Sequence, residues 1–106
     1  MTETVTQASR ATMPAGGVTK VELTAGSTST PILTPGACVV TCVPGSGGTM
    51  LAEATWSSQD EVLAGTANWF EWDSGTVSSA TNQLLQHATA VRFTATTAAG
   101  IGEVAA

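Results

Sequence analysis

Cationic side chains are almost missing from this chain: Arg10, Lys20 and Arg92 are the only three in 106 residues, and charged residues make up 10% of the total. An ordinary soluble domain carries about a quarter. Each nucleic-acid phosphate that a protein neutralises needs a Lys or Arg, so three scattered cations and a net charge of −5 exclude DNA or RNA as a partner. Long apolar runs are missing too. No stretch approaches the roughly 20 residues of a membrane span, and the opening MTETVTQ is acidic and polar where a secretion signal is basic and then apolar. These absences predict a chain made as a soluble product in the cytoplasm, with no membrane partner.

Metal-binding residue types are scarce as well. His87 is the only histidine, and Cys38 and Cys42 are the only cysteines. A zinc site needs about four ligands, so these three fall short. Both cysteines lie in residues 37–43 (ACVVTCV), whose β-branched content reads as a strand. Four residues along a strand cover about 13 Å, whereas a disulfide needs Cα atoms within about 7 Å. The pair is therefore expected to stay unbonded, on one face with Val40 between them, as small buried hydrophobes. The loop PGSGG at 44–48 lacks the Lys-Ser/Thr that completes a phosphate loop. No cofactor and no metal is expected.

What remains is a surface of Thr, Ser, Gly and Ala and a modest set of large apolar side chains. Residues 1–17 show no periodicity and close on MPAGG, the composition of an extended N-terminal arm that does not fold alone. The domain is expected to begin at Val18. In residues 18–24 (VTKVELT), Val21 and Leu23 face one way and Lys20 and Glu22 the other, a half-buried strand. Residues 50–56 (MLAEATW) place Met50, Ala52, Ala54 and Trp56 on one side. Residues 57–65 hold two imitations of a capping box, Ser57 with Asp60 and Ser58 with Glu61, but Gly65 follows within about two turns, so a short helical turn or loop is expected there. Residues 82–87 (NQLLQH) fit a helical turn or an irregular strand. The clearest alternation comes late, with Val91, Phe93 and Ala95 opposite Arg92, Thr94 and Thr96. A short return strand follows at 101–104. Seven or eight short strands with Gly, Pro and Ser turns predict an all-β domain over residues 18–106, an antiparallel β-sandwich or β-barrel.

The segment Trp69-Phe70-Glu71-Trp72-Asp73 holds most of the aromatic mass. On a strand Trp69 and Glu71 face one way and Phe70 and Trp72 the other, so one face enters the core and the other needs a cover. A loop, a neighbouring subunit or a stacked sugar ring would serve. Glu71 and Asp73, two apart, superficially suit a glycosidase pair, but neighbouring acids at a turn are ordinarily just solvated. His87 with Asp60 or Asp73 and a serine has no nucleophile elbow to recommend it. Arg92 is expected to pair with a cross-strand acid such as Glu103.

Residues 69–77 (WFEWDSGTV) and 90–96 (AVRFTAT), a glycine-containing loop and the ending IGEV at 101–104 resemble the C-terminal half of small accessory virion proteins of tailed bacteriophages. The resemblance implies a structural virion protein, not an enzyme, bound to the capsid exterior as a decoration (cement) or head-fibre protein. Its expected partner is the major capsid or another virion protein, its expected state a homo-oligomer, trimer or higher. Val5 and Met13 of the arm would add apolar anchors on a neighbour. The alternative is a glycan-binding module of a tail or surface fibre using Trp69, Glu71, Trp72 and Asp73.

Overall fold

The computed structural model describes residues 3–5, 17–34 and 36–105. Among them the chain forms nine strands and one short helix: β1 (Glu3–Val5), β2 (Val18–Leu23), β3 (Ile32–Leu33), β4 (Cys38–Pro44), β5 (Thr49–Thr55), α1 (Gln59–Ala64), β6 (Phe70–Glu71), β7 (Thr81–Leu85), β8 (Ala90–Thr96) and β9 (Gly100–Ala105). The period-two patterns appear as period-two burial. In β2, Thr19, Val21 and Leu23 are buried and their neighbours exposed; in β4, Cys38, Val40 and Cys42 point inward. Both thiols are unbonded, as their spacing requires.

All strand pairs are antiparallel, in two sheets ordered β1-β2-β9-β4-β7 and β3-β8-β5-β6. The all-β expectation holds, and of its two forms the chain takes the sandwich. The pairing follows one rule: β2 with β9, β3 with β8, β4 with β7, β5 with β6. A long hairpin whose two arms are β2 to β5 and β6 to β9 has been folded over so that successive pairs fall in alternate sheets. Contacts β4 with β9 and β5 with β8 then close each sheet. This is the jelly-roll arrangement of a double-sheet sandwich. β1 adds an outer strand to the five-stranded sheet, in register Val5 to Val21.

Between the sheets lie Val21, Leu23, Ile32, Val40, Cys42, Met50, Trp72, Val91, Phe93 and Val104, all nearly free of solvent. Phe93 is the largest side chain buried outright. Its ring sits over Gly102, where an added Cβ would come closer than 3.0 Å to Cγ, Cδ1 and Cδ2 of the ring. β9 therefore presents a backbone, not a side chain, to the bulkiest group of the facing sheet.

Two local readings are refined. Residues 57–65 do form a helix, six residues long, because both ends are capped. Ser58 accepts from the Glu61 N–H while the Glu61 carboxylate accepts from the Ser58 N–H, and Gly65 closes the helix at φ 79°. Of residues 82–87, ambiguous in sequence, 82–85 are strand because β4 offers them a partner.

Gly102→Ala drives a methyl group into the Phe93 ring and should cost about 1–3 kcal/mol, read as a lower urea midpoint at unchanged slope; an unchanged midpoint contradicts the packing. The thiols give a second expectation. Burial pushes Cys42 from an ordinary value of 9.0 up to about 12 and raises Cys38 too. The folded state then keeps a proton that the unfolded chain loses above about pH 9, so this stabilisation is complete below that pH and disappears as pH climbs toward 12. At about pH 8 a disulfide reagent should titrate neither thiol in the native protein and both in denaturant; rapid native labelling would contradict their burial.

Candidate functional surfaces

The Trp69 to Asp73 segment divides as its alternation demands, but β6 is an edge strand of only two residues, and that decides what each side chain meets. The Trp72 N–H donates to the Ala52 carbonyl, which sets Trp72 opposite an inward residue. Its ring is 4% exposed and its indole Nε1 donates to the Gly75 carbonyl. Trp72 is a core residue, and the ligand role expected of it is withdrawn. Glu71 lies opposite Glu53 on the outer face, and Asp73 stands exposed in the following turn.

Trp69 is on the outer face too, and its cover is the chain's own segment. Val62 of α1 packs with Leu33, Ala90, Ala67 and Trp69 in a small second core outside the four-stranded sheet. Thr55, also outward, is completely buried beneath it. The Arg92 guanidinium lies 4.3 Å from the Trp69 ring centre and its Nε donates to Glu53 Oε1 at 3.0 Å. This corrects the expected partner of Arg92. Glu103 is on β9, in the other sheet, where it meets Lys20 at 3.7 Å.

The exposed aromatics are Phe70, at 59%, and Trp56, at 52%. Phe70 is opposite Ala54, but it is on an edge strand, and no strand among the described residues pairs beyond it. Trp56 keeps the parity of Met50, Ala52 and Ala54, yet β5 has ended and the ring projects past the sandwich. The two rings are 6.4 Å apart and tilted by 54°. The Trp56 indole N–H donates to the Gln86 carbonyl at 3.2 Å. Next to Gln86, His87 adopts φ 57°, a left-handed conformation uncommon outside glycine. His87 lines a recess of about 290 Å³ with Thr34, Gly36, Gln59, Ala88 and Thr89. No acid lines it, so His87 has no triad partner there. A cleft of about 460 Å³ at the opposite end is lined by Leu23, Val43, Pro44, Ile101 and one carboxylate, Glu22.

The outer face of the five-stranded sheet has no comparable cover among the described residues. Register aligns Val18, Ala105, Val39 and Leu84 in one row across β2, β9, β4 and β7. Val18 is 38% exposed, Val39 39% and Leu84 58%. The next row is Lys20, Glu103, Thr41 and Asn82, its charges paired. Sequence reasoning did not single out this row, although placing Cys38, Val40 and Cys42 inward already sends Val39 and Val43 outward. Of the arm candidates, Val5 is in β1, and Met13 lies outside the described residues.

No family model and no curated protein matches the sequence. Among solved structures, oxalate oxidase in complex with the substrate analogue glycolate superposes with a TM-score of 0.53 at 13% identity, and recombinant oxalate oxidase in complex with glycolate with 0.52 at 13%. Each match covers 82% of this chain, which spans only 39% of the oxalate oxidase chain. At that identity the likeness is one of fold, and a fold carries no activity with it. In this chain the space between the sheets is filled by apolar side chains, and among the described residues no group of three or more His, Cys, Asp or Glu is placed to hold a metal ion.

Register sets Glu53 between Arg92 of β8 and Glu71 of β6, so the guanidinium offsets the repulsion between the two neighbouring carboxylates while covering Trp69. Arg92→Ala should destabilise by about 1–2 kcal/mol, and Glu71→Gln should recover part of that loss in a double-mutant cycle. Strictly additive effects would show that Glu71 does not feel the guanidinium.

Proposed function

We propose that this chain is a structural virion protein of a tailed bacteriophage, bound to the capsid exterior as a decoration (cement) or head-fibre protein, and that it is not an enzyme. The observation that carries the reading is the outer face of the five-stranded sheet, which no segment among the described residues covers. It presents the apolar row Val18, Ala105, Val39 and Leu84 beside a row whose charges neutralise each other. An apolar strip beside a polar row is the kind of surface that another protein covers. Jelly-roll sandwiches recur in viral capsid domains, which is support by analogy of fold. The resemblance of residues 69–77 and 90–96 to accessory virion proteins points the same way. The partner on this reading is the major capsid or another virion protein, with the chain itself a symmetric oligomer.

Contacts of this kind depend on burial, not on charge, so they should survive salt that screens surface ion pairs within about 10 Å at 0.1 M. The purified chain should co-sediment saturably with heads of the phage that encodes it. The double variant Val39→Lys/Leu84→Lys, folded by circular dichroism, should bind roughly tenfold or more weakly. A wild-type chain that does not associate, or a variant that associates unchanged, overturns the proposal.

A further inference from the structure

With Trp72 in the core and Trp69 beneath Arg92, the aromatic surface left to solvent at this end of the sandwich is the pair Trp56 and Phe70. We infer that this pair, with the recess around His87, is a binding site for the pyranose rings of a neutral polysaccharide.

The indole of Trp56 is held in place before any ligand arrives, since its N–H is already bonded to the Gln86 carbonyl. Its polar edge is satisfied, and what it offers a ligand is its π-face. Phe70, tilted by 54° with its centre 6.4 Å away, packs against the indole and extends the apolar surface beside it. A puckered ring with C–H groups on one face stacks on such a surface, and its equatorial hydroxyls need neutral donors and acceptors nearby. The recess lies one residue from the Gln86 carbonyl that holds Trp56, and it offers the hydroxyl of Thr89, the amide of Gln59 and the imidazole of His87. The Thr34 hydroxyl is itself tied to the Ala88 carbonyl, fixing one wall of the recess to the loop that carries His87. His87 holds φ 57°, a backbone strain of the kind that surrounding structure must impose and that gathers at ligand sites.

Charge and size narrow the ligand. A net charge of −5, with Asp60 and Glu61 exposed on the adjoining helix, disfavours phosphorylated, sulfated or uronic sugars and nucleotides. Two half-exposed rings present roughly 150–250 Å² in all, well below the roughly 800 Å² per side of a stable protein interface. That area suits one or two sugar units. This site is separate from the sheet face on which the capsid reading rests, so each can fail alone.

The test is a glycan array followed by titration of tryptophan fluorescence with cellohexaose, maltohexaose, chitohexaose and their monosaccharides. A saturable shift is expected with at least one neutral hexasaccharide on the array. Trp56→Ala should weaken it roughly tenfold or more and Phe70→Ala should weaken it measurably, both variants folding normally because the rings are exposed. Ile101→Ser, at the opposite end of the sandwich, should leave binding unchanged. Absence of saturable binding to every neutral glycan on the array, or binding retained in both ring variants, overturns the inference.

Discussion

The contact of the Phe93 ring with the bare backbone at Gly102 sets the spacing of the whole sandwich. Facing sheets pack about 10 Å apart, and their inner side chains must interdigitate. On β8 the inward positions are Val91, Phe93 and Ala95; on β9 they are Gly100, Gly102 and Val104. The large residue of one strand meets the small residue of the other. Backbone bonds hold Phe93 at that height: its N–H donates to the Ser29 hydroxyl, and the Ser29 N–H donates to its carbonyl. β8 and β9 are also the inner strands of their sheets, β8 between β3 and β5, β9 between β2 and β4. Every earlier strand except β1, β6 and β7 is paired directly with one of these last two. Because the pairings span most of the chain, loop closure precedes nearly every rewarding contact, and folding is expected to be slow for a domain of this size.

Filling the space between the sheets with Phe93, Met50, Trp72 and their neighbours leaves chemistry to the exterior, and the two exterior faces are unlike. The chain spends residues 56–69 on covering the four-stranded sheet, burying Thr55, Leu33 and Ala90 under Val62 and placing Trp69 under Arg92. No such segment among the described residues lies over the five-stranded sheet. Among the described residues one face is dressed by its own sequence while the other keeps an apolar row exposed, and that inequality is the physical basis of the proposal that a partner covers the second.

Alternation made much of this legible. The inward sets of β2, β4 and β8 follow from period two alone, and so do the unbonded cysteines and the parity of Phe70 with Trp72. What alternation cannot supply is where a core ends and which sheet a strand joins. Trp56 has the parity of Met50, but β5 ends at Thr55 and its last inward position is Ala54, so the same rule that buries one exposes the other. Arg92 and Glu103 both face outward on consecutive strands, which invites pairing them. In a folded-over hairpin, however, β8 and β9 belong to different sheets, and outward then means opposite directions. Residues 57–65 became a helix because both caps formed and Val62 found an apolar bed, the second of which is a tertiary fact.

The scarcity of cations acquires a structural meaning from these pairings. Lys20 and Arg92 each meet an acid on a neighbouring strand, Glu103 and Glu53, so among the described residues positive charge is consumed within the sheets. Glu22, Glu71, Asp60 and Asp73 remain at the surface, spread over several elements. Such a surface repels anionic polymers over its whole extent and concentrates attraction at the places that carry no charge, the row from Val18 to Leu84 and the ring pair Trp56 and Phe70. Both recognise by burial and shape. A chain with an ordinary complement of Lys and Arg could bind by steering and ion pairing anywhere on its surface; on the readings proposed above this one binds instead at neutral patches, on different sides of one sandwich, so that one could be engaged while the other stays open.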